Sequence, residues 1–385
     1  MSDAIANASR DLDATFQEAY RRPSDGIWHA PGRVNLIGEH TDYNDGLVLP
    51  FALAQGVSVA AAAREDEVLE LRSLQAAGEA ASVPLDGLAP GAIGGWAGYA
   101  AGVAWALGEA GHRVRGASLL IDSDLPQGAG LSSSAALECA VALTLCELSG
   151  IDIPRPELAR IAQRAENDFV GMPCGIMDQS AALLCTADHA LLLDCRSGLS
   201  TQVPLDLAGL TLLVIDTRAP HQLVDGAYAS RRAECERAAD ALGVPALRDV
   251  TDLTEALASL DDPVWRRRVR HVVTENHRVE ATVGLLRAGA VTEVGAMLTA
   301  AHLSLRDQFE VSWPEADVAV EAAVRAGARG GRMVGGGFGG SAIALVPSPL
   351  VGRVCDAALN AYEARGWRPP AFLTAVPSPG ARRLA

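Results

Sequence analysis

The stretch LPQGAGLSSSAALECAVALTLCEL, residues 125–148, decides how this chain is read. It opens on a loop of glycine and serine and runs straight into apolar residues at helical spacing over 131–148. Small residues let backbone N–H groups come close to an anion where a helix begins. Ser132, Ser133 and Ser134 add three hydroxyls suited to phosphate or to a divalent cation. A glycine-rich turn that only caps a helix has the same look, and this loop alone does not separate the two readings.

Outward from that loop, 26–29, 48–62, 70–74 and 117–121 read as strands, with Asn44-Asp45-Gly46 supplying turn chemistry before the second. Helical spacing recurs over 96–107 and 154–169, and 191–194 and 212–216 read as strands. The first half therefore alternates β and α. Helices dominate the second half, over 225–242, 249–259, 263–287, 290–309 and 314–327. A glycine cluster, a strand at 341–346, a helix and a final strand complete it. Residues 76–95, rich in Ala, Gly and Pro, read as a mobile stretch. An α+β chain of two lobes follows, divided near 198–204 into residues 1–200 and 201–385. The 385 residues, 49% of them hydrophobic, exceed the size at which one core stops growing.

Composition removes several classes of function. A net charge of −15 repels a polyanion, so no nucleic-acid partner is expected, and Arg266 to Arg270 read as a solvated helix face. No apolar run approaches the ~20 residues of a membrane span, so no membrane partner is expected either. The first twenty residues carry Asp3, Asp11, Asp13 and Glu18, unlike a basic, apolar secretion signal, which points to the cytoplasm. Seven cysteines without a CxxC pair fit core packing in a reducing compartment. No obligate protein partner is indicated. All 32 basic residues are arginine. Without lysine there is no Walker A loop, no protein-kinase strand lysine and no pyridoxal Schiff base.

Three further clusters carry polar chemistry. PGRVNLIGEHTDYNDG at 31–46 crowds Arg33, Asn35, Glu39, His40, Asp42 and Tyr43 between two strands. Carboxylates accept from hydroxyls, histidine donates or accepts, and arginine offers charge toward phosphate, so Glu39, His40 and Asp42 suit a hydroxyl-rich ligand. A solvated turn is the plain alternative. ENDFVGMPCGIMDQ at 166–179 sets Glu166 near a helix end and Asp178 after a Gly/Pro turn, an arrangement able to aim two carboxylates at one metal–phosphate centre. MVGGGFGGSAIAL at 333–345 packs five glycines around one Phe, which implies close backbone approach or positive φ.

Together these segments resemble the galactokinase branch of the GHMP small-molecule kinase family. GRVNLIGEHTDYNDG is similar to its sugar signature, PQGAGLSSSA to its phosphate loop and GGGFGGSAIAL to its C-terminal glycine motif. The resemblance extends over most of the chain. It implies an N-terminal lobe like the second domain of ribosomal protein S5 and a ferredoxin-like C-terminal lobe, with the site between them. It implies transfer of the γ-phosphate of Mg·ATP to the C1 hydroxyl of galactose, with Mg2+ as cofactor and ATP as co-substrate. By the same resemblance Gly128, Ala129, Gly130, Leu131, Ser132, Ser133 and Ser134 hold the ATP phosphates, and Ser134 and Glu166 bind Mg2+. Glu39, His40, Thr41, Asp42, Gly175 and Tyr228 contact the sugar, Asp178 is the base, and Arg33 stabilises the transition state. An N-acetylgalactosamine kinase and a catalytically silent galactose sensor share the motifs and are the alternatives.

Overall fold

The computed structural model describes residues 2–126, 128–219 and 224–385, so Gln127 of the glycine–serine loop lies outside the described residues. The first lobe runs α1 (Ser2–Tyr20), β1 (Gly26–Asn35), β2 (Leu47–Val48), β3 (Pro50–Ala63), β4 (Val68–Ser73), β5 (Ala80–Pro84), α2 (Gly95–Glu109), β6 (Ala117–Ser123), α3 (Ser133–Ser149), α4 (Arg155–Arg164), α5 (Met177–Leu184), β7 (His189–Asp194) and β8 (Ser200–Pro204). The second runs β9 (Leu210–Asp216), α6 (Val224–Leu242), α7 (Leu253–Ser259), α8 (Pro263–Arg287), α9 (Val294–Ser304), α10 (Pro314–Arg325), β10 (Gly330–Val334), β11 (Ser341–Pro347), α11 (Val351–Glu363) and β12 (Ala371–Ala375), after which β13 (Arg382–Arg383) returns to the first lobe.

A six-stranded sheet of order β13-β1-β3-β6-β4-β5 forms the floor of the first lobe, and a four-stranded sheet of order β10-β11-β9-β12 that of the second. A small sheet, β2-β7-β8, lies beside them. A cut at residue 200 is too simple. β8 still pairs with β7, and the chain returns at its end so that β13 pairs with β1.

Helix α3 packs on β1 and β3, with every residue from Ala135 to Cys146 buried. An all-round apolar surface is what a central helix needs. The exceptions are Glu138 and Thr144, both wholly buried in that helix. No described helix is long and apolar enough to cross a membrane.

Several boundaries differ from the sequence reading. The strand expected at 26–29 continues to Asn35 through a register shift between Pro31 and Arg33. The helix expected from 131 begins at Ser133, because Ser132 stands in the left-handed region at φ +60°. The helices expected over 154–169 and 290–309 each end in a π-helical turn, Ala165–Val170 and Leu305–Phe309. Residues 76–95 contain β5, paired with β4.

Candidate active site

Arg33 owes its position to the bulge in β1. Pro31 has no N–H to give the ladder, and a Cβ on Gly32 would fall 2.7 Å from the Leu131 carbonyl oxygen, so the strand kinks there against the glycine–serine loop. The Arg33 backbone N–H then donates to Leu131 O at 3.1 Å instead of to β3. Its side chain donates from Nε to Asp178 Oδ1 at 2.7 Å and from Nη2 to Asp178 Oδ2 at 2.8 Å, while Nη1 donates to Gly130 O at 2.9 Å. Burial works against the Arg33 charge, yet Asp178 and Glu39 outweigh it and raise its pKa.

Asp178 lies in the first turn of α5 and accepts a third bond, from Ser132 Oγ at 2.5 Å. The carbonyls of the glycine–serine loop are turned inward: Gly130 and Leu131 on Arg33, and Ala129 on Ser341 Oγ at 2.7 Å. Ser132 does not cap α3 with its hydroxyl, so that helix start keeps N–H groups for an anion. The second lobe closes over the same loop. A Cβ on Gly335, at φ +84°, would lie 3.2 Å from the Gly130 carbonyl oxygen.

A cavity of about 180 Å³ opens beside the Arg33–Asp178 pair, lined also by Glu39, His40, Asp42, Glu166, Gly175, Tyr228 and Gly336. Asp42 is pushed up to about 7 by burial and then by the charge of Asp178. Gly175 has no room for a side chain, since a Cβ would fall 1.9 Å from Asp42 Oδ2. His40, at φ +62°, packs against Phe309 and Tyr228 with ring centroids 4.7 and 5.6 Å away. Its Nδ1 meets Tyr43 Oη at 2.9 Å, and Nε2 has no hydrogen bond of ordinary geometry, only the Gly336 backbone nearby. Burial drives its pKa far down, so this neutral ring nitrogen is available to a ligand.

Glu39 and Thr41 are differently placed from the other signature residues. Glu39 Oε1 accepts from Arg332 and from Gly335 N–H at 2.8 Å, and Oε2 from Asn35 Nδ2 at 3.0 Å, so the carboxylate that lines the cavity is also tied into the second lobe. Thr41 Oγ1 donates to Gly38 O and Leu47 O at 2.8 and 2.7 Å, which braces the turn, and Thr41 does not line the cavity.

The Ser134 hydroxyl lies beside Glu166 and favours its charged form, and Glu166 accepts from Gln179 Nε2 at 2.7 Å and from Cys174 Sγ at 3.4 Å. Burial, then the Asp178 charge, pushes Glu166 up, and these three donors oppose the shift. Among the described residues no three His, Cys, Asp or Glu side chains gather as a metal cage. One carboxylate with one hydroxyl instead fits a hard cation that takes its other ligands from substrate phosphates and water.

Sequence reasoning missed a second cavity, of about 430 Å³, on the other side of Ser133 and Ser134. Trp96, Tyr99, Leu125 and Leu137 line it together with Gln75. Two aromatic side chains three positions apart at the start of α2, in a chain only 4% aromatic, were the available signal. Arg332, Gln179 and Glu138 were also missed.

A family model for the galactokinase galactose-binding signature matches residues 14–63, and models for the GHMP kinase N-terminal and C-terminal domains match 98–186 and 282–364. The chain is 49% identical to the galactokinase of Streptomyces coelicolor over the full length of both. It is 47% identical to that of Mycobacterium tuberculosis, over 91% of this chain and 97% of the relative. The crystal structure of Lactococcus lactis galactokinase complexed with galactose superposes with a TM-score of 0.94 at 33% identity, covering 97% of this chain and 99% of that one. A Methanococcus jannaschii mevalonate kinase, at 14% identity and a TM-score of 0.65, shares the fold alone. With sugar signature and glycine motif lining one cavity, the glycine–serine loop bonded to the Arg33–Asp178 pair at its edge, and relatives this similar along its whole length, the chain belongs to the galactokinase branch of the GHMP kinases.

Proposed function

We propose that this chain transfers the γ-phosphate of Mg·ATP to the C1 hydroxyl of α-D-galactose, giving galactose 1-phosphate and ADP. The observation that carries the reading is the Arg33–Asp178 pair, held at the junction of the sugar-signature cavity and the glycine–serine loop. A phosphoryl acceptor needs its oxygen in line with the γ-phosphorus and positive charge near the equatorial oxygens. Asp178 orients the C1 hydroxyl and accepts its proton. Arg33, between that carboxylate and the loop, answers the charge that develops on the phosphoryl group, a task no lysine of this chain is present to share.

Asp42, His40, Tyr228, the Gly175 backbone and the cavity edge of Glu39 read the sugar hydroxyls. The loop 128–134 takes the phosphates on its N–H groups, and the cleft of Trp96 and Tyr99 suits the flat, apolar face of the nucleotide base. Ser134 and Glu166 would hold Mg2+, whose charge supports the β- and γ-phosphates when it is bound.

An ATP-coupled assay over a hexose panel tests the reading. A lost hydrogen bond to a charged group is worth about 1.5–3 kcal/mol, so galactose is expected to exceed its C4 epimer glucose in kcat/KM by tenfold or more. Equal values for the two sugars refute it, and faster turnover of N-acetylgalactosamine than of galactose would move the assignment to that sugar.

A further inference from the structure

Gln179 follows Asp178 in the first turn of α5, so the two side chains leave the helix about 100° apart. Asp178 faces the cavity, whereas Gln179 is fully buried behind it. Its Nε2 donates to Glu166 Oε2 at 2.7 Å and to Glu138 Oε2 at 3.1 Å. Glu138 lies one turn beyond Ser134 on α3, so Ser134 and Glu138 flank Glu166 from the same helix face. Glu166 itself stands on the π-helical turn Ala165–Val170, an irregularity that turns single residues out of α-helical register.

The geometry points to Gln179 as a positioning residue that aims the Glu166 carboxylate, with Glu138 as the anchor behind it. This inference rests on the reading of Glu166 as the Mg2+ ligand. Two carboxylate oxygens converge on one amide, and only its nitrogen can donate to both, so the side chain cannot turn over. The price is visible at the other end of the amide, where Gln179 Oε1 is buried without a hydrogen-bond partner. A residue that merely filled this space would be apolar and would carry no such cost. One turn of α5 thus fixes both the proton acceptor and, through the amide, the carboxylate of the metal–phosphate side.

Gln179→Leu in the full chain tests this, with Gln179→Met as the unbranched match in length and Glu138→Gln approaching the same contacts from the far end. The readouts are ADP affinity by calorimetry with and without Mg2+, galactose affinity, thermal unfolding, and the Mg2+ needed for half-maximal turnover. Loss of a partner that orients a metal ligand typically costs 10–100-fold in metal affinity, so the gain in ADP affinity on adding Mg2+ is expected to shrink by about tenfold or more. Metal-free ADP and galactose should bind as in the parent. A folded Gln179→Leu or Gln179→Met protein with the parent's Mg2+ dependence overturns the inference, even if its melting temperature falls, since that result describes packing alone. Glu166→Ala is measured alongside. If it loses the Mg2+ effect while the Gln179 variants keep it, only the positioning role fails, whereas if it too keeps the effect, the metal reading of Glu166 fails and takes this inference with it.

Discussion

Arg33 commits its guanidinium to neighbours, two nitrogens to the Asp178 carboxylate and the third to the Gly130 carbonyl. A lysine could keep the charge but not all three directions, because its donors sit on one atom whereas the planar fork presents them from three nitrogens in fixed geometry. Asp178 in turn receives Arg33 Nε on Oδ1 and both Arg33 Nη2 and Ser132 Oγ on Oδ2. Asp178→Asn therefore does two things: it removes the charge a proton acceptor requires, and it sets an amide N–H₂ toward donors already in place. Turnover is expected to fall by about 10²–10⁴-fold, the range for loss of a general base. The fall should appear in kcat more than in KM, because the lost interaction belongs to the transition state. Stopped or coupled assays with calorimetry for galactose and ADP check it. A folded variant that binds both ligands and keeps turnover within about tenfold of the parent shows that Asp178 is not the base.

Among the elements, the turn between the π-helical segment and α5 is where the backbone itself approaches the site. Gly175 is needed there for space, because a Cβ would overlap the Asp42 carboxylate at 1.9 Å from Oδ2 and 2.4 Å from Cγ. Gly175→Ala should displace Asp42 from the cavity and leave the glycine–serine loop untouched. The loss of one hydrogen bond to a charged group, about 1.5–3 kcal/mol, corresponds to galactose binding weakened by tenfold or more. Isothermal titration with galactose and with ADP checks the expected contrast, and equal weakening of both would show a collapse of the lobe instead. Apolar spacing predicts the helix before this turn over 154–169, but neither its π-helical end nor the short helix α5 that follows. A wider turn carries the same residue types as an α-helical one, so only packing reveals it.

For the molecule as a whole, the two lobes are joined beneath the cavity by buried ion pairs. Arg332 of β10, wholly buried, reaches Glu39 across the lobe boundary and also donates to Asn35 O. Glu275 of α8 accepts the Gly38 N–H at 3.0 Å, lies 3.9 Å from Arg332, and is itself paired with Arg278 at 2.7 Å. His271 of the same helix meets the Glu39 carbonyl at 3.0 Å. Removing one member of a buried pair strands the other charge, so Arg332→Met is expected to cost about 3–5 kcal/mol in denaturant unfolding. Because Glu39 lines the cavity, the same variant should raise KM for galactose more than KM for ATP. Unfolding curves and both Michaelis constants check it, and a variant as stable as the parent would leave the pair without a role in joining the lobes.

The sequence by itself determined the family, because it is carried by contiguous stretches: the signature at 31–46, the glycine–serine loop at 125–136 and the glycine cluster at 333–345 each combine residue type with local backbone demand. It also determined that arginine must supply the side-chain positive charge, since no lysine exists. What only the tertiary structure decided is which polar groups face a ligand and which face each other. Thr41 sits in the same short run as His40 and Asp42, yet it is consumed by the turn, while Glu39 lines the cavity and is also held by Arg332, almost three hundred positions away. Gln179 and Glu138 look in sequence like the ordinary polar residues of two helices, and the aromatic pair Trp96 and Tyr99 like core. Their meaning comes from partners brought together by the sheets and by α3, and a hydrogen bond between distant segments leaves no periodicity in the chain from which it could be read.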